Sequence, residues 1–96
     1  MYTFFTAKTT DGSSPAFNGF GGEGLITVTG TFNSCTVTIE VSNDGTNFVK
    51  ASSDGALTAA GAIRVSVPYE SKIRATVSAA GASTSVTCLA RTMDRS

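Results

Sequence analysis

The 96-residue sequence has no histidine, no tryptophan and no glutamine, and only two cysteines, two prolines and two tyrosines. Without histidine the commonest general base and a leading zinc ligand are both missing. Charge is scarce as well: 15% of residues are charged, where about 25% is usual for a free-standing soluble domain. Seven basic residues balance seven acidic ones, so the chain lacks the long-range field that binding to nucleic acid or an anionic membrane normally needs. No apolar run approaches the roughly 20 residues of a membrane span, and a soluble domain is expected. The start, Met1-Tyr2-Thr3-Phe4-Phe5, has neither a basic region nor a continuous apolar stretch, so no signal peptide is expected. What is abundant is small and hydroxylated: fifteen Thr, twelve Ser, twelve Ala and ten Gly. Such a surface suits contact with other protein.

A chain this short fills one core, so residues 1–96 are read as a single domain with an N-terminal arm and a glycine-rich loop over about residues 1–24. The dominant pattern is alternation with a period of two, the mark of half-buried strands. In Cys35-Thr36-Val37-Thr38-Ile39-Glu40-Val41-Ser42 the apolar residues fall on one face and the polar ones on the other. The pattern recurs around Ile26 and Val28, Ile63 to Val67, Lys72 to Val77, and Ser85 to Arg91, with Tyr2 to Ala7 and Phe48 to Ala51 as weaker runs. Turn residues separate them at Asn43-Asp44-Gly45, Ser53-Asp54-Gly55, Ala60-Gly61 and Ala80-Gly81-Ala82, and Pro68 closes the strand before it. Ala56 to Ala62 tolerates helix, but Gly55 and Gly61 limit it to a turn. The spacing predicts an all-β fold: an antiparallel β-sandwich of about seven or eight short strands, with a jelly-roll order compatible with that number. Phe17 and Phe20, in a segment rich in glycine, need a dry place. Either they cap one end of the core or they insert into a neighbouring subunit. The arm around Tyr2, Phe4 and Phe5 is read first as a local strand, with exchange between subunits as the other possibility.

Candidate chemistry is sparse. Cys35 and Cys88 are both in phase with buried residues of their strands. They are read as two reduced thiols rather than an inter-sheet disulfide, and metal binding by two Cys without His is not expected. Asp44 in Asn43-Asp44-Gly45-Thr46-Asn47 lacks the further carboxylates of a calcium loop and reads as a turn. The acids are dispersed, Glu40 is expected to pair across strands with a Lys or Arg, and no Ser has a base at Ser-x-x-Lys spacing. Gly19 to Gly24 lacks the Gly-Lys-Ser/Thr ending of a phosphate loop. No enzyme and no cofactor is expected. Arg64, Lys72, Arg74, Arg91 and Arg95 give the second half a mild basic bias. It reads as a solvated face with cross-strand pairs, or as a docking surface for an acidic partner centred on Lys72 and Arg74.

The stretch from Cys35 to Ala90, a little over half of the chain, resembles small virion proteins of tailed bacteriophages. The residues that carry the resemblance are the strand Cys35 to Val41 and the motif Ser-x-Asp-Gly-x-x-Phe at Ser42 to Phe48. The strands at Ile63-Arg64-Val65 and Lys72 to Val77, and the Ser/Thr-rich run Ser83 to Leu89, complete it. In that family an aromatic residue follows the Asp-Gly turn, the place Phe48 holds here. The first 34 residues lie outside the resemblance. It implies a non-enzymatic β-sandwich module made in the host cytoplasm and mounted on the capsid surface as a decoration or cement protein. Its partner would be the major capsid protein or another virion protein, and the module a homo-oligomer, a homotrimer being the expected state. The other class is a carbohydrate- or receptor-binding module of a tail or head fibre. Tyr2, Phe4, Phe5, Phe17 and Phe20, with Lys72 and Arg74, are the expected partner contacts, since aromatic anchors dominate interface energy.

Overall fold

Alternating apolar residues on many short strands are buried together when two sheets face each other, and the chain adopts that solution. The computed structural model describes residues 2–51 and 55–92. It contains β1 (Tyr2–Lys8), β2 (Gly12–Ser13), β3 (Phe17–Asn18), β4 (Gly22–Thr31), β5 (Thr36–Ser42), β6 (Val49–Lys50), β7 (Ala56–Leu57), β8 (Gly61–Val67), β9 (Lys72–Ser78) and β10 (Ser85–Thr92). One sheet has the order β1-β10-β4-β8; in the other β2 and β3 flank β9, β9 pairs with β5, and β5 pairs with β6 and β7. Every pairing is antiparallel.

The ten strands occupy eight positions, because β2 and β3 share one edge of the second sheet and β6 and β7 share the other. Numbered as positions along the chain, the sheets run 1-8-3-6 and 2-7-4-5, which is the jelly-roll order of two interleaved Greek keys. The core is the alternation made solid: Ile26 and Val28 from β4, Val37 and Ile39 from β5, Ile73, Ala75 and Val77 from β9, and Val86, Cys88 and Ala90 from β10 are all buried. Phe4 and Phe32 join the same core.

Three of the four sheet edges are irregular. Along β1 the register against β10 slips twice, between Thr3 and Phe5 and between Phe5 and Lys8. Between β2 and β3 one residue is extra, since Ser13 faces Thr76 while Phe17 faces Ile73. Ser14 holds that bulge: its N–H donates to Ala75 O at 2.8 Å, and Ala75 N–H donates to the Ser14 hydroxyl at 3.0 Å. A side-chain oxygen thus serves where a backbone carbonyl would have been, just before Pro15, which has no N–H to give. From β6 to β7 the register against β5 shifts, Glu40 facing Lys50 but Thr38 facing Ala56, with Ala51 N–H donating to Ile39 O at 2.8 Å and Ile39 N–H to Gly55 O at 2.7 Å. Only β8 is regular, facing β4 residue by residue from Gly61 to Val67 without a shift.

Two expectations are corrected. The glycine-rich segment is not all loop, because Gly22, Glu23 and Gly24 are the first residues of β4. Ala56 and Leu57 form a short strand on β5 rather than a simple turn, since Leu57 fills the core opposite Val37. The expected turn at Ser53-Asp54-Gly55 lies, for Ser53 and Asp54, outside the described residues, as does Arg95.

Candidate interaction surfaces

The aromatic residues of the N-terminal segment come together. Tyr2 stands edge-on to Phe17, with centroids 5.8 Å apart, and to Phe20 at 5.1 Å; Phe4 meets Phe17 at 5.5 Å. Edge-to-face packing of this kind satisfies the opposite charges of ring face and rim. The cluster closes one end of the sandwich: Phe4 is 3% exposed, and Tyr2, Phe5, Phe17 and Phe20 are half-buried against the core. Gly24 is what lets Phe20 lie there, since a Cβ on Gly24 would stand 2.4 Å from the ring. Of the five aromatic residues expected at a partner, Phe4 is therefore taken up by the chain's own core. The other four are half-buried, Tyr2, Phe17 and Phe20 within the aromatic cluster and Phe5 against the core.

Lys72 and Arg74 lie on the outer face of the second sheet, where strand alternation puts them, but each has a partner within the chain. The Arg74 Nε–H donates to Glu40 Oε1 at 2.8 Å, and its guanidinium lies 3.9 Å from the centre of the Phe48 ring. Thr76 Oγ1 donates to the same Glu40 oxygen at 2.8 Å, so Ser13 Oγ, 2.8 Å away, donates to Thr76. Lys72 donates to Asn18 Oδ1. Glu40 and Arg74 stand directly opposite in the β5–β9 register, which is the cross-strand pair expected of Glu40. Glu40, Lys72, Arg74 and Thr76 on this face are thus joined by cross-strand contacts, while Lys50, opposite Glu40 on β6, is exposed.

The outer face of the first sheet is different. Strand register places Arg91, Leu25 and Arg64 side by side across β10, β4 and β8, and Thr3, Leu89, Thr27 and Ala62 in the next row. Leu25 and Leu89 are half-buried and line, with Thr27, Ala90 and Arg91, a shallow hollow of about 120 Å³. Arg64 and Arg91 are exposed, and the one salt bridge among the described residues is Glu40–Arg74. The sequence carried the signal: Leu25 is out of phase with Ile26 and Val28, and Leu89 with Val86, Cys88 and Ala90. An apolar residue on the polar phase of a strand marks a surface patch.

The remaining candidates are structural. Asp44 accepts the N–H groups of Thr46 and Asn47 at 2.9 and 2.8 Å, the Asn47 amide at 2.9 Å and the Ser42 hydroxyl at 2.8 Å. Those donors hold its carboxyl well below the usual carboxylate range and lock the turn between β5 and β6. Cys35 and Cys88 are both free and buried. Burial pushes the Cys88 thiol from 9.0 up to about 12. A thiol that stays protonated in the fold but ionises in the unfolded chain stabilises the protein fully below pH 9 and progressively less up to 12. At pH about 10.5 wild type is expected to have lost roughly 2 kcal/mol through this group. Urea unfolding at neutral and alkaline pH, compared with Cys88→Ala, measures the loss; an equal pH dependence in the variant would remove Cys88 as its source.

Comparison with known proteins returns no match to a family model, to a curated protein or to a solved structure.

Proposed function

We propose that this chain is a non-enzymatic structural protein of a bacteriophage particle, a capsid decoration or cement protein held on the shell by multivalent contacts with the major capsid protein or another virion protein. The observation that carries this reading is the contrast between the two outer faces. On the second sheet Glu40, Lys72 and Arg74 are engaged by neighbouring side chains, whereas the first presents Leu25 between Arg91 and Arg64 with Leu89 in the next row, and neither arginine is in a salt bridge among the described residues. Around them the face is mostly threonine, serine and alanine, residues that lose little side-chain freedom when covered, with Glu23 in the row beside Leu25. The resemblance of Cys35 to Ala90 to small phage virion proteins supports the same reading. A homotrimer on the capsid surface presents three such faces, and weak contacts held together multiply.

Imaging parent particles mixed with the protein tests it: ordered extra density on the shell, with the four-stranded sheet turned inward, is the expected result. Leu89→Glu, half-buried and outside the core, is expected to leave thermal stability nearly unchanged. Shell occupancy in co-sedimentation should fall at least tenfold, since burying a leucine contributes about 1.5–3 kcal/mol.

The fibre-type reading has one observation in its favour. Tyr69 is 64% exposed in the β8–β9 loop, and Ser71 of that loop donates to Asn43 Oδ1 at 2.7 Å. Asn43 lines a hollow of about 240 Å³ together with Val41, Asp44 and Asn47. Saturable hits on a glycan array, lost in Tyr69→Ala, with no density on the shell, would favour carbohydrate binding instead.

A further inference from the structure

An edge strand exposes a row of backbone N–H and C=O groups, and folded proteins usually blunt such rows with bulges or interruptions. Here β1 slips register twice, the β2/β3 edge bulges at Ser14, and the register against β5 shifts from β6 to β7. The exception is β8, seven residues long, with no proline inside it and no register shift against β4. Gly61, Ala62, Arg64 and Ser66 are exposed along it, while Val65 and Val67 point into the core.

We infer that the free edge of β8 accepts an extended segment of another protein as an added strand, one in which acidic residues alternate with apolar ones. Main-chain hydrogen bonds to β8 supply the affinity of such an addition, and alternate side chains supply its selectivity. An added strand has two faces. On the inner side its residues continue the apolar layer beside Ile63, which is half-buried, and Val65. On the outer side they stand next to Arg64, the end of the row Arg91-Leu25-Arg64, where a carboxylate completes an opposite-charge cross-strand pair. A second copy of this chain is disfavoured as the occupant. Antiparallel pairing of β8 with itself, centred on the strand, sets Arg64 against Arg64, a like-charge pair. The inference concerns the edge alone, and its test needs no virion, so its failure is separate from failure of the decoration reading.

Isotope-labelled protein is titrated with a blocked heptapeptide alternating valine and glutamate, and separately with the valine–lysine equivalent, while amide shifts and hydrogen exchange are followed. With the glutamate peptide, saturable shifts centred on residues 61–67 and exchange of β8 amides slowed at least tenfold are expected, with little response to the lysine peptide. Arg64 is exposed, so Arg64→Glu keeps the fold; it is expected to weaken the glutamate peptide at least tenfold and to admit the lysine peptide. Absence of a saturable shift at millimolar peptide would overturn the inference. So would shifts confined to the outer face without protection of β8, or dimerisation of the protein alone that protects the same amides.

Discussion

Phe4→Ala is expected to lower stability by about 3–5 kcal/mol, the usual cost of emptying a fully packed aromatic site. For a domain of this size that is a fall of roughly 12 °C or more in melting temperature. The ring is 3% exposed and meets Phe17 at 5.5 Å, so its removal empties a core site and takes away the support of Phe17, against which Tyr2 packs in turn. Phe5→Ala, on a half-buried neighbour beyond the first register slip, is expected to cost clearly less. Calorimetry and urea unfolding measure both. If Phe4→Ala kept its melting temperature but lost self-association, the ring would belong to an interface and not to this core. Deletion of residues 1–8 is a poor test of an interface arm, because it removes a whole edge strand and Phe4 with it.

Gly30→Ala is the second large effect, and its cause is backbone. Gly30 has φ +114°, where side chains are strained, and a Cβ there would stand 2.1 Å from the Ser85 carbonyl oxygen of the paired strand. Strain of this kind costs about 1–3 kcal/mol, and the clash adds to it by forcing β4 and β10 apart at Gly30–Val86. A total near or above 3 kcal/mol is expected, again on the order of 12 °C or more. Gly45→Ala is the control: φ is +78° but nothing lies within 4 Å, so strain alone, about 1–2 kcal/mol, is expected. Equal losses for the two variants would mean that the approach of Ser85 contributes nothing.

Much of this fold was legible because alternation is a local property. The run from Cys35 to Ser42 reads directly as β5, and the runs ending at Val67, Val77 and Arg91 read as β8, β9 and β10. Where the pattern breaks, long-range partners decide. Gly24 looks like loop until Phe20 is seen occupying the space over it, and Ser14 looks like linker until its hydroxyl is seen serving Ala75. Lys72 and Arg74 stood out as neighbouring cations on one face. Sequence did not reveal that Asn18, from a distant short strand, and Phe48, from a turn, would engage them. Leu25 and Leu89 were visible as breaks in phase. Their meeting on one row pair, flanked by Arg64 and Arg91, depends on β10 lying between β1 and β4.

That position of β10 also governs the order in which the protein can come into being. In the first sheet β1 and β4 touch β10 and not each other, so neither finds its central partner until Ser85–Thr92 has been made. The second sheet can assemble earlier, around the β5–β9 pair, while the apolar sides of β1 and β4 wait uncovered. A topology so dependent on distant pairings folds in milliseconds to seconds rather than microseconds. A chain stopped short of Ser85 during synthesis would leave β1 without its partner and β4 paired only with β8, a substrate for chaperones or for aggregation.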